Sequence, residues 1–137
     1  REYAKVLDAP LAIADKQRLN HTGNMVINDI IGDVRGRPAL VVDDFTVSGG
    51  TLAKVAEKLT ECGATAVYAA ITHAVFTDEC MRRLNESPIE RLLTTDTIET
   101  QPVTVSDRVQ VVSVAPLFAE AIRRIHNRQS ISVLFSS

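Results

Sequence analysis

A-L-V-V-D-D-F-T-V-S-G-G-T-L, residues Ala39 to Leu52, joins an apolar run to a glycine turn and then to a helical pattern. Ala39, Leu40, Val41 and Val42 form an uninterrupted apolar segment, as expected of a parallel strand buried on both faces. The run ends in two adjacent carboxylates, Asp43 and Asp44, and the turn Ser48-Gly49-Gly50-Thr51 follows closely. Strand, small-residue turn and helix together form a cradle for an anion. Glycines let backbone N–H groups approach it, hydroxyls add donors, and the helix N-terminus adds partial positive charge. Carboxylates just upstream suit sugar hydroxyls or a metal bridging to phosphate. The combination points to a sugar-phosphate site. The same residues also suit a plain capped loop after a solvated Asp-Asp turn. Neither the G-x-x-x-x-G-K-[ST] phosphate loop nor the dinucleotide G-x-G-x-x-G is present.

Downstream of this stretch, Leu52, Val55, Ala56 and Leu59 fall on one helical face, and Gly63 supplies a helix stop. Val67 to Thr72 reads as a strand with His73 at its exit. Thr77 to Glu86 reads as an amphipathic helix capped by Thr77 or Asp78, with Met81 and Leu84 inward. Strands at Ile89–Thr94 and Val109–Val114 follow. Pro116 then opens a helix expected to bury Leu117, Phe118, Ala121, Ile122 and Ile125. Its basic end, Arg123, Arg124 and His126, suits the helix dipole. The apolar tail Ile131–Phe135 is expected to dock on a surface or a neighbouring subunit.

Upstream, Arg1 to Leu7 reads as the back half of a helix, so the chain is expected to be a piece of a longer protein. Leu11 to Ala14 is a short apolar strand, followed by the charged cluster Asp15-Lys16-Gln17-Arg18 and an aperiodic polar run, Leu19 to Asn24. Strand followed by charged loop occurs here and again at Asp43. Both loops are therefore expected on one edge of a parallel sheet, where α/β folds bind ligands, with Lys16 and Arg18 in reach of a phosphate at the glycine turn. Solvated loop charges would look the same. Met25 to Ile31 reads as a further strand. Alternating strands and helices predict an α/β fold with a doubly wound, mostly parallel sheet.

At 137 residues the chain forms one domain with a real core. Its net charge of −2 gives no reason to expect nucleic acid or a membrane surface as partner, and no apolar run approaches the ~18 residues of a membrane span. Cys62 and Cys80 lack metal-ligand spacing and read as free thiols in a reducing cytosol.

V-V-D-D-F-T-V-S-G-G-T-L resembles the ribose-5-phosphate loop of type I phosphoribosyltransferases and of the ribose-phosphate pyrophosphokinases. R-E-Y-A-K-V-L-D-A-P-L-A-I-A-D-K-Q-R, I-G-D-V-R-G-R, G-A-T-A-V-Y-A-A-I-T-H-A-V-F and V-S-V-A-P-L-F-A-E-A-I-R-R-I-H-N-R-Q-S-I-S-V-L-F extend the likeness to the C-terminal half of the pyrophosphokinases. Residues 1–137 are thus expected to be a C-terminal phosphoribosyltransferase-like domain without the family's N-terminal half. The resemblance implies transfer of a diphosphoryl group from ATP to ribose 5-phosphate with Mg²⁺, in the cytoplasm, by a homo-oligomer. It gives Asp43 and Asp44 the ribose hydroxyls, directly or through the metal. It gives Ser48, Gly49, Gly50 and Thr51 the 5-phosphate, and Lys16 and Arg18 the catalytic mobile loop. This chain alone is expected to be inactive. Four positions depart from the pattern: Val47 replaces a third loop aspartate, Ser48 the threonine after it, Gln17 an arginine, and Asp96 the asparagine of T-N-T-I. A plant-type class with S-G-G-T also lacks the third aspartate. The alternatives are a phosphoribosyltransferase, whose base-binding hood has no counterpart in the sequence, and a non-catalytic regulatory paralogue.

Overall fold

A computed structural model describes residues 1–18, 25–99 and 106–135. Its centre is a four-stranded, all-parallel sheet in the order β3-β4-β5-β6, formed by Pro38–Thr46, Ala66–Ala74, Ile89–Thr95 and Val109–Val112. The expected α/β class with a parallel sheet is what forms. Helices α2 (Gly50–Glu61) and α3 (Asp78–Glu86) connect the first three strands. Ala39↔Val67 and Val41↔Ala69 pair in register, as do Ala69↔Leu92 and Ile71↔Thr94. Side chains paired in this way project to the same face. On that face Val67, Ala69, Ile71 and Leu92 meet Leu52, Val55, Ala56 and Leu59 of α2 and Cys80, Met81 and Leu84 of α3 in one buried cluster. The apolar positions predicted for α2, and Met81 and Leu84 for α3, therefore face the core. Gly63, at φ +92, ends α2 in the left-handed region open to glycine.

Upstream of the sheet the expectation needs correcting. β1 (Ile13–Arg18) and β2 (Met25–Ile31) form a separate antiparallel hairpin, and Asp15-Lys16-Gln17-Arg18 lies within β1 instead of in a loop after it. The two charged segments are thus not exits on one edge of a parallel sheet. A two-stranded ribbon leaves much of both faces in water, so it accepts charged residues that a central strand would reject. The hairpin joins the core through Ile30, which is buried, and through packing of α2 on β2. Short helix α1 (Glu2–Val6) precedes it and buries none of its side chains.

Helix α4 (Ala115–His126) begins at the predicted proline turn, but its apolar stripe is not buried. Leu117, Phe118, Ile122 and Ile125 are all exposed. Amphipathic spacing forms the helix without a partner surface among the described residues. Arg123 and Arg124 both pair with Glu120. The tail forms a single 3-10 turn, Ser132–Leu134, with Val133 and Phe135 exposed.

Candidate functional site

β3 runs through both carboxylates to Thr46, further than the apolar run indicates, so Asp43 and Asp44 are strand residues at the carboxyl end of the sheet. Asp43 pairs in register with Ile71, which puts it on the face occupied by α2. One of its oxygens, Oδ1, accepts the Asp44 N–H at 3.0 Å. The other lies 3.7 Å from Lys16 Nζ. The hairpin therefore brings Lys16 to Asp43, although by a different topology from the one expected. Arg18 closes β1; its side chain, like the run Leu19–Asn24, lies outside the described residues.

The glycine turn leads directly into α2, which begins at Gly50, two residues earlier than its apolar pattern. Gly49, at φ +68, occupies the N-cap position, and no side chain caps this end. The first turn also contains no acidic residue. The positive end of the helix dipole thus meets no acidic side chain in its own first turn, which suits an anion there. Ser48 and Thr51 add hydroxyls to a cleft of about 520 Å³ that runs between α2 and α3, with Lys54, Arg82 and Arg83 also on its wall.

Helix α3 holds the turn in place, a contact that sequence reasoning missed. Thr77 caps α3 by accepting the Cys80 N–H at 3.1 Å, and its own hydroxyl donates to the Val47 carbonyl at 3.1 Å. A Cβ at Gly49 would lie 3.2 Å from Cys80 Sγ and 3.4 Å from the Cys80 carbonyl oxygen, so the turn packs directly on α3. Burial pushes the Cys80 thiol upward, which keeps it protonated. Of the two caps the sequence offers, Thr77 is the one that forms, but nothing in the sequence shows its bond to Val47.

Hydroxyls tie the end of β4 to the end of β5 and the turn after it. His73 Nδ1 lies 2.7 Å from Thr97 Oγ1, and both Thr95 Oγ1 and Thr97 Oγ1 donate to the Thr72 carbonyl. Asp96 accepts the Val114 N–H at 2.8 Å at the start of α4. Hydrogen bonds from Ser113 and then from Val114 hold its carboxyl below the usual range. Among the described residues no group of three or more His, Cys, Asp or Glu could hold a metal ion. Mg²⁺ retains several waters and takes one or two carboxylates plus substrate oxygens. Asp43 and Asp44, on opposite faces of β3, would each offer one such carboxylate. No helix among the described residues is long and apolar enough to cross a membrane.

Residues 15–136 match the family model described as phosphoribosyl synthetase-associated domain. The chain is 48% identical over 136 residues to a ribose-phosphate pyrophosphokinase of Caldanaerobacter subterraneus subsp. tengcongensis, covering 99% of this chain and 43% of that protein. A ribose-phosphate pyrophosphokinase of a Nostoc species is also 48% identical, over 139 residues, with 98% and 41% covered. The fold superimposes on the crystal structure of phosphoribosylpyrophosphate synthetase from Mycobacterium smegmatis with a TM-score of 0.81. That match is 31% identical and covers 93% of this chain and 40% of the other. The chain thus spans under half the length of these relatives. With an open helix N-terminus behind two strand carboxylates, and these matches along almost its whole length, the chain belongs to the phosphoribosyl synthetase-associated domain family.

Proposed function

We propose that this chain is the ribose-5-phosphate-binding part, in the C-terminal half, of a ribose-phosphate diphosphokinase. The reaction moves the diphosphoryl group of ATP to the anomeric oxygen of ribose 5-phosphate, leaving phosphoribosyl pyrophosphate and AMP. The observation that carries this reading is the uncapped start of α2, placed directly after Asp43 and Asp44 by the Ser48–Thr51 turn. In a family whose relatives are named for ribose phosphate, an anion seat next to paired hydroxyl acceptors fits a sugar phosphate. The N–H groups of Gly50 and Thr51 and the hydroxyls of Ser48 and Thr51 hold the 5-phosphate, while Asp43 and Asp44 hold ribose hydroxyls.

Lys16 is already at Asp43, next to the sugar position, where its charge offsets that of the phosphates being transferred. Arg18, from the same strand, has the same role. Asp43 and Asp44 are the residues that would hold Mg²⁺, whose charge neutralises phosphate oxygens when it is bound. Assembly into a homo-oligomer and a cytosolic setting belong to the same reading. Free Cys62 and Cys80 are in keeping with the latter.

Val47 favours a second reading, a regulatory paralogue that binds the sugar phosphate without turnover. Its half-exposed apolar side chain stands where the resembling loops carry a third carboxylate. Calorimetric titration with ribose 5-phosphate, with and without Mg²⁺, tests the shared binding step. Saturable binding that is lost in the double variant Ser48→Ala/Thr51→Ala is expected. A folded chain that takes up no ribose 5-phosphate in either buffer would remove both readings. Restored to full length, the catalytic form releases AMP and its Asp44→Asn variant does not, whereas the regulatory form releases none.

A further inference from the structure

Arg83 lies on α3, yet its guanidinium reaches the start of α2. A Cβ on Gly50 would collide with Arg83 Nη1. Gly50 has no positive φ, so its backbone does not itself demand glycine; the guanidinium fills the space a side chain would need. A cation against a helix N-terminus faces the positive end of the dipole, an unfavourable placement in isolation. No acidic residue in the first turn of α2 and no capping side chain relieves it.

Glu79 holds the cation in place. Arg83 Nε donates to Glu79 Oε1 at 2.7 Å, one turn earlier on α3. Neighbouring Arg82 is engaged differently: it makes two-pronged contact with Glu79 and reaches Glu86 at 2.8 Å, so its charge is spent within α3. Hydrogen bonds from Arg82 and then Arg83 hold the Glu79 carboxyl below its ordinary range. α3 is itself fixed by the buried Cys80, Met81 and Leu84 and by the Thr77 bond to Val47. The guanidinium is thus set against the anion seat before any ligand arrives, which lowers the ordering cost of binding.

We propose that Arg83 is a fixed cationic ligand of the phosphate group seated at the start of α2, oriented by Glu79. This rests on the sugar-phosphate reading and adds to it a residue from another helix. A phosphate shared by the helix N-terminus and the guanidinium turns their mutual repulsion into a joint attraction, and charge-assisted hydrogen bonds from Arg are among the stronger ones. Arg83 thereby favours a dianionic phosphate ester over an uncharged sugar.

The test is calorimetric titration of the chain with ribose 5-phosphate, with ribose as the uncharged comparison, for the wild type, Arg83→Ala, Arg83→Lys and Glu79→Gln. Arg83→Ala is expected to weaken ribose 5-phosphate binding ~10-fold or more, since a charge-assisted bond is removed. Its salt dependence should also become shallower, which loss of a structural contact would not cause. Arg83→Lys keeps the charge without the fork and should lose about 3-fold. Glu79→Gln keeps both side chains but loosens the orientation, with a similar loss. If wild type binds and a folded Arg83→Ala chain binds equally, with unchanged salt dependence, the role of Arg83 is wrong and the sugar-phosphate reading stands. Should Arg83→Ala unfold, Arg83→Lys decides: wild-type affinity for ribose 5-phosphate without the guanidinium fork overturns the role. A wild type that does not bind ribose 5-phosphate takes both readings down together.

Discussion

The two faces of the parallel sheet differ sharply in what covers them. On one, Val67, Ala69, Ile71 and Leu92 are at most 2% exposed beneath α2 and α3. On the other, the register places Leu40, Val42, Leu93 and Val112, which are 37–47% exposed. Apart from Asp44, which projects to the other side of β3, the candidate site belongs to the first face. Asp43 projects to that side, α2 begins there, and α3 braces the turn between them. A phosphate seat needs donors held in place before the ligand arrives, and the covered face is the part of the molecule able to hold them. α4 lies outside that packing, with none of its side chains buried.

Adjacent residues on β5 give the strongest test of this contrast. Leu92 and Leu93 are one residue apart and point to opposite faces. Leu92→Ala is expected to cost about 2–5 kcal/mol, because it leaves a cavity in close-packed surroundings. Leu93→Ala should cost about 1 kcal/mol or less, as at other partly wet positions. Urea denaturation of both variants measures the difference. Equal losses would mean that the second face is covered in solution.

A smaller effect, of opposite sign, is expected at Thr94. It pairs with Ile71 on the covered face and is buried, yet its hydroxyl has no hydrogen-bond partner among the described residues. An unsatisfied buried polar group costs about 1–3 kcal/mol. Thr94→Val keeps the branched shape and removes the hydroxyl, so the urea midpoint should rise by the equivalent of about 1 kcal/mol with an unchanged slope. A fall in the midpoint would show that the hydroxyl is satisfied and that this face is less dry than its burial indicates.

What could be read in advance follows the same division. β3, the glycine turn and α2 are legible because β3 carries an uninterrupted apolar run and α2 repeats every 3.6 residues, although the run suggests burial on both faces and Leu40 and Val42 lie on the open one. β1 is not, since a wet hairpin has no apolar run to mark it and its pairing is set by β2 rather than by its own residues. The stripe on α4 signals an amphipathic helix, but periodicity does not say what lies opposite. At the candidate site, Asp43 and the Ser48–Thr51 turn are contiguous and could be read directly. Lys16 could be singled out by its charge, but only tertiary pairing puts it 3.7 Å from Asp43. Thr77 and Arg83 come from a helix across a strand from the turn, so nothing local connects them to it.

The smallest effect concerns how α4 is held. Its start is joined to the end of β5 by the bond from the Val114 N–H to Asp96. Because Ser113 and Val114 depress the Asp96 carboxyl in the folded chain, its contribution is fully present above the usual carboxylate range and is lost as pH falls through the lower folded value. The first-turn amides of α4 should therefore exchange with solvent progressively faster, relative to the intrinsic rate, as the buffer is taken below about pH 4. Amides of α2 serve as the internal control. Asp96→Asn retains an acceptor but cannot titrate, so its α4 protection should not show the Asp96 step. The effect is modest, because the group is solvent-exposed and screened. An Asp96→Asn chain with the same acid step would mean that α4 is held by contacts other than this carboxylate, and that the open side of the molecule is more firmly built than its exposed apolar surface suggests.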